Sequence, residues 1–288
     1  MGHRDSTVRA RELALALNRA VRAAGLSNSD LARRFGWSAA KVTHMFKAER
    51  GLVETDVAQI IGMCRIVGEE RNRLLRLVKD AHEPGWWQEY DGRLPAELRT
   101  LIDHEDSAVA ISNYQSELVP GLLQTRDYTE ALLRSSAVIP ADEIKERADA
   151  REKRQQIFSR YRPAAFHFFI DEYVLRRTGP GREVMSDQVH HLLRMSVRPC
   201  IELRVIPDSV GFHAGSVGPF ILMDFNEINP VVHMENATSS LFAERAGTVQ
   251  AYRAILTDLA KVALDGGQSR EWIAQRAKEL GASLEGDL

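Results

Sequence analysis

Along the first eighty residues apolar side chains recur every three to four positions: Leu13, Leu17, Ala20 and Val21, then Leu31, Ala32 and Phe35, then Val42, Met45 and Phe46. Val57, Ile60 and Ile61 continue the rhythm, and Leu74, Leu75 and Val78 close it. A 3.6-residue period buries one stripe of a helix. The spacing therefore predicts helices over 9–24, 54–64 and 69–81, with two short helices joined by a turn within 26–51. Past Pro95 the pattern changes. Helices are predicted over 96–116, 125–135, 141–160, 183–197, 246–264 and 269–281, and between them lie the β-rich runs AFHFFID (165–171), CIELRVI (200–206), PFILMDF (219–225) and VVHMEN (231–236). In the second run Ile201, Leu203 and Val205 alternate with Glu202 and Arg204, as in a half-buried strand. The 208–218 connection is too short for a helical crossover, which predicts antiparallel pairing among the last three runs. The expected class is mainly α: a five-helix bundle, then an α+β domain whose small, at least partly antiparallel sheet is covered by helices.

The hairpin at 26–51 carries the most local information. Ser27 and Ser38 can each cap a helix N-terminus, and Gly36 stands where the turn needs a positive φ. Ala32 is small where the second helix crosses. Opposite Val42 and Met45, that helix presents Ala39, Ala40, Lys41, Thr43 and His44, which are small, polar or basic. One buried side and one such face suit insertion into a DNA major groove, although an ordinary αα-hairpin uses the same two helices. The segment resembles the helix-turn-helix of Cro/repressor-type (XRE family) regulators over about residues 8–80, with Ala32, Gly36, Trp37, Val42 and Met45 on the small, turn and core positions. It departs from that family in one respect: Asn28 and Ala39 replace the Gln that members often carry at the start of both helices. Ala39 can offer only methyl contact, for example to thymine. The DNA-binding residues expected are Asn28, Ser38, Ala39, Ala40, Lys41, Thr43, His44, Lys47 and Arg50. Lys41, Thr43 and His44 lie nearest the groove, and Lys47 and Arg50 suit phosphate.

Charge supports that assignment. Residues 1–50 hold 10 Lys/Arg against 4 Asp/Glu, a net of +6; the whole chain is −2, which leaves −8 on residues 51–288. A basic segment on an acidic remainder is the footprint of one end meeting phosphate, and the overall negative charge argues against nonspecific coating of DNA. With 288 residues and 44% hydrophobic content, two domains are expected. The start lacks a continuous apolar run, so neither a signal peptide nor a membrane span is read, and the expected location is cytoplasmic. Cys64 and Cys200 lie far apart and read as buried thiols.

The boundary falls at EPGWWQEYDGRLP (83–95), an aromatic junction between a DNA-binding domain (1–82) and an α+β dimerisation and regulatory domain (96–288). Trp86, Trp87 and Tyr90 suit packing between domains, or a ligand cage. The motifs VPGLLQT (119–125), DEYVLRR (171–177), VMSDQVHHLL (184–193), IELRVIP (201–207), GFHAGSVGPFILMDF (211–225) and VVHMEN (231–236) follow in order. Together they resemble the C-terminal domain of unknown function found behind the helix-turn-helix in many actinomycete-type regulators, including WhiJ-like ones. That resemblance implies transcriptional control, often beside a small protein encoded by an adjacent gene in an antitoxin-like arrangement.

Read physically, Gln124-Thr125 caps a helix, Asp171-Glu172 forms a cap paired with Arg176 and Arg177, and the glycines at 211, 215 and 218 shape a mobile loop. No Gly-x-Ser-x-Gly elbow or HExxH spacing occurs. A site of His213, His233 and Glu235 lacks any local feature to assemble it. No catalytic residue, metal or cofactor is expected. The partners expected are double-stranded DNA, a second copy of the chain, a small protein from an adjacent gene and a small-molecule effector, with Trp86, Trp87, Tyr90, Phe212 and His213 as the pocket for that ligand or partner, and no membrane. The competing classes are an antitoxin-like partner-binding protein and an enzyme with an appended DNA-binding domain.

Overall fold

The computed structural model describes residues 7–48, 52–82, 86–90 and 94–285. The chain divides into two compact units: Met1–Glu89 with Phe225–Asn229, and Tyr90–Asp224 with Pro230–Leu288.

The first unit is a helical bundle of α1 (Val8–Ala23), α2 (Asn28–Phe35), α3 (Ala39–Phe46), α4 (Glu54–Met63) and α5 (Gly68–His82). The apolar stripes converge as their spacing predicts. Leu13, Leu17, Val21, Leu31, Val42, Met45, Val57, Ile60, Leu74 and Val78 are all buried in one core, with Ala32, Phe35, Trp37 and Phe46 packed partly exposed against it. The segment 225–229 adds Glu227, whose buried carboxylate forms ion pairs with Arg19 at 3.0 Å and with Arg73 at 2.8 Å. A 3-10 turn, Trp86–Tyr90, follows the bundle, and Trp87 is buried with its ring edge-on to Trp86 at 5.9 Å.

The second unit is a six-stranded mixed sheet. Its strands are β1 (Ala110–Gln115), β2 (Ala165–Asp171), β3 (Ile201–Ile206), β4 (Phe220–Asp224), β5 (Val231–Glu235) and β6 (Ser240–Ala243), in the order β3-β2-β1-β4-β5-β6. β1, β2 and β3 run parallel, while β1–β4, β4–β5 and β5–β6 are antiparallel. The expected antiparallel pairing of the last three runs holds for β4 and β5 but not for β3, which pairs parallel with β2. Long connections explain this. α7 (Arg126–Arg134) and α8 (Ile144–Arg154) carry the chain from β1 to β2, and α9 (Glu172–Arg176) and α10 (Arg182–Ser196) from β2 to β3. Such crossovers permit parallel neighbours, so the short link after β3 need only reach β4 on the far side of β1. The predicted helix 96–116 is in fact α6 (Ala96–Ser107) followed by β1, and β6 follows VVHMEN unpredicted.

α11 (Ala246–Val262) covers one sheet face, where Val249, Leu259 and Ala263 meet Tyr114, Phe169, Phe220, Leu222 and Val232. Arg204, on β3, reaches the open C-terminus of α11. Its Nη2 donates to the carbonyls of Ala260 and Ala263 and its Nε to Leu264, each at 2.8 Å. A guanidinium there satisfies carbonyls that have no intrahelical partner and meets the negative end of the helix dipole. α12 (Gly266–Glu285) packs on α10 and β3. Phe158, beyond α8, stacks edgewise on Phe166 and Phe168 of β2 at 4.6 and 6.5 Å.

Candidate nucleic-acid interface

The turn between α2 and α3 is built by local chemistry. Ser27 caps α2 in a capping box: its Oγ accepts from the Asp30 N–H at 3.2 Å, and the Asp30 carboxylate accepts from the Ser27 N–H at 2.9 Å. The Ser27 hydroxyl, which donates to the Asp30 carboxylate at 2.7 Å, and then the Ser27 N–H hold the Asp30 carboxyl below its ordinary range. Gly36 ends α2 at φ 65°, the left-handed cap expected of it. Two residues later Ser38 caps α3, its Oγ accepting from the Lys41 N–H at 3.1 Å. Val42 and Met45 are thereby turned into the core, while Ala39, Ala40, Lys41 and Thr43 are exposed on the other side.

The side chains on that face differ in what they can offer. Thr43 donates its hydroxyl hydrogen back to the Ala39 carbonyl at 2.9 Å, which leaves its lone pairs and methyl outward. Lys41 is committed within the unit. Its Nζ bonds Asp56, in the first turn of α4, at 2.9 Å and lies 4.2 Å from the Trp37 ring centroid. DNA must therefore compete with a carboxylate for Lys41. His44 is half-buried beside it, on a hollow of ≈ 420 Å³ that Leu52, Val53 and Asp56 also line. Asn28 is exposed at the start of α2, and Lys47 is exposed as the C-cap of α3. Arg50 lies outside the described residues. Sequence reasoning passed over Arg33 and Arg34, exposed in the last turn of α2, where Arg33 bonds Asp30 at 2.6 Å.

Of the remaining candidates, Tyr90, Phe212 and His213 lie in the second unit. Tyr90 lies 6.0 Å from Lys153 Nζ, and Phe212 is 99% exposed. His213 instead joins β1 and β2: its Nδ1 accepts from the Gly215 N–H at 3.2 Å, and its Nε2 lies 3.5 Å from Asp171. The Tyr114 hydroxyl donates to the same carboxylate at 3.0 Å. Burial raises both the Asp171 carboxyl and the Tyr114 hydroxyl above their ordinary values. Gly215 is needed for this approach, because a Cβ there would stand 2.6 Å from the Tyr114 ring. The loop read as mobile is thus pinned at two points. Asp171 precedes α9 but forms no side-chain cap, whereas Glu172 pairs with Arg176 as expected and accepts from the Asp208 N–H at 3.1 Å. Gln124 also departs from a capping role, leaving that to Thr125. Its amide donates to the Val119 carbonyl at 2.7 Å, and its oxygen accepts from Thr129 and Arg151. Cys64 and Cys200 are unpaired and only partly buried. No helix among the described residues is long and apolar enough to cross a membrane.

Comparison with known families agrees with this division. The model described as "Domain of unknown function (DUF5753)" matches residues 98–275, and the one described as "Helix-turn-helix domain" matches residues 12–74. No curated protein and no solved structure matches the chain. The chain belongs to the DUF5753 family and carries a helix-turn-helix domain ahead of it. That domain supports a DNA-binding regulator.

Proposed function

We propose that this protein is a sequence-specific transcriptional regulator whose α3 enters the DNA major groove. The observation that carries the reading is the two-faced α3, fixed by the Gly36 turn and the Ser38 cap, with Ala39, Ala40, Lys41 and Thr43 outward in a basic segment. Small residues at the helix start let the backbone approach base edges, and Thr43 and His44 then read them. The C-terminal domain joins two copies on a two-fold operator, since one such module buries little surface alone. It also receives a signal, from a small-molecule effector or from a small protein encoded beside it, as its antitoxin-like resemblance implies. A DNA-binding domain favours a regulator over an enzyme, and no catalytic role is assigned.

A genome-wide map of bound DNA supplies the operator. On it, Thr43→Ala or His44→Ala lowers affinity by about 1–3 kcal/mol and costs less on random DNA. Equal losses on both refute base reading. Sedimentation of the full chain with operator reports a dimer, and a monomer on a single half-site refutes the two-fold arrangement.

A further inference from the structure

A cavity of ≈ 660 Å³ opens within the second unit, on the sheet face opposite α11, between β1, β5, α7 and α8. That volume lies in the range of small-molecule sites. α8 supplies its most unusual wall. Arg147, Arg151 and Arg154, spaced four and three residues apart, all line it, and Ala148 and Ala150 are the small residues buried between them.

The three guanidinium groups are not equivalent. Arg154 is buried and held bidentately by the buried Glu105 carboxylate at 2.8 and 2.7 Å. Arg147 is held by Glu143 at 2.7 Å. Among the described residues Arg151 has one hydrogen bond, at 2.7 Å, and its partner is the neutral carboxamide oxygen of Gln124, which also serves Thr129. A guanidinium carries five N–H donors, so most of this fork meets no acceptor among the described residues. Burial and the neighbouring Arg154 push Arg151 down to about 10, with Glu235 and Glu105 opposing, so it is still charged at neutral pH. Glu105 is already committed to Arg154. Glu235 stands exposed on the rim, as do Glu97 and Glu117. Asn113 adds a second unmatched group. It is 1% exposed, its Oδ1 accepts from Gln115 at 3.1 Å, and its amide hydrogens have no acceptor among the described residues. Leu98, Leu132 and Ile139 give the same cavity an apolar side.

Arg151 is half-buried on the cavity wall, and an anionic group there would complete its fork with charge-assisted hydrogen bonds that a neutral amide does not supply. We propose that this cavity binds a small organic acid, its carboxylate received by Arg151 with Asn113 beside it and its apolar body against Leu98, Leu132 and Ile139. The site lies wholly in the second unit and stands whether or not the first binds DNA. It is also distinct from the aromatic and 208–218 residues suggested by sequence, none of which lines it.

The test is calorimetric titration of the full-length protein, without DNA, using hexanoate, decanoate, phenylacetate and indole-3-acetate, each against its primary amide, and inorganic phosphate. At least one acid should bind at least tenfold tighter than its amide. Arg151→Gln should abolish that preference and Arg151→Lys should keep part of it, with each variant's unfolding midpoint equal to or above that of the unliganded wild type. Acids binding no better than amides, no saturable binding by any acid, or an unchanged preference in Arg151→Gln would overturn the proposal. Binding by phosphate alone would overturn the carboxylate assignment. Because no readout involves DNA, failure here leaves the operator reading intact, and failure of that reading leaves this one intact.

Discussion

His233 gives a prediction whose size follows from its surroundings. The ring sits on β5, 3% exposed, with Nε2 2.8 Å from Ser240 Oγ and its face 4.6 Å from Phe242. Burial disfavours the imidazolium, and the nearby Arg154 and His104 add to the effect, lowering its pKa from the ordinary 6.5 to about 4. A lowered pKa means that between pH 6.5 and 4 the unfolded chain takes up a proton that the folded one refuses. Stability from this residue is therefore complete above pH 6.5 and is lost as pH falls towards 4. At 1.36 kcal/mol per pH unit the loss reaches about 2 kcal/mol at pH 5 and about 3 kcal/mol in full. Two measurements check it. The His233 ring resonances should show no titration above pH 5. Hydrogen exchange of the β4 and β5 amides, corrected for intrinsic rates, should report a steeper loss of stability with acid in the wild type than in His233→Gln. Glutamine can still bond Ser240 but cannot take up a proton, and carboxylate titrations common to both proteins cancel. A ring titrating near 6.5, or equal acid sensitivity in the two proteins, refutes the reasoning.

Gly36→Ala should destabilise the first unit by about 1 kcal/mol, because φ is 65° and no atom lies within 4 Å of the added methyl, leaving only the backbone cost; denaturant unfolding measures it. Arg154→Met should cost about 3–5 kcal/mol by leaving the Glu105 carboxylate buried without its partner, and adding Glu105→Gln should recover much of that in thermal unfolding. Asp56→Asn releases Lys41, so the logarithm of operator affinity should fall more steeply with salt, by about 0.9 in slope for one added phosphate contact. An unaltered slope in gel-shift titrations would show that Lys41 does not reach phosphate. Gly215→Ala forces the Tyr114 ring from its place and should cost about 1–3 kcal/mol, read as a lower unfolding midpoint.

The sequence by itself determined what is local. The period of Leu13, Leu17 and Val21, the caps at Ser27, Ser38 and Thr125, and the positive φ at Gly36 all act within a few residues, so these helices were legible one by one. The exposed face of α3 followed from the same period. Strand partners are another matter, because pairing brings together segments dozens of residues apart. β3 sits parallel to β2, and β1 was hidden behind the helical start of 96–107, where the buried Asn113 interrupts an apolar alternation. The second site was equally out of reach. An Arg–x3–Arg–x2–Arg spacing on a polar helix reads as a solvated face, and only the fold supplies Glu105 to Arg154 and Glu143 to Arg147 while giving Arg151 no more than an amide. Likewise Asp171 resembled a helix cap until β1 and a loop 42 residues on brought Tyr114 and His213 to its carboxylate. Local propensity is written in neighbouring residues, whereas the balance of buried charge is decided by which distant segments meet.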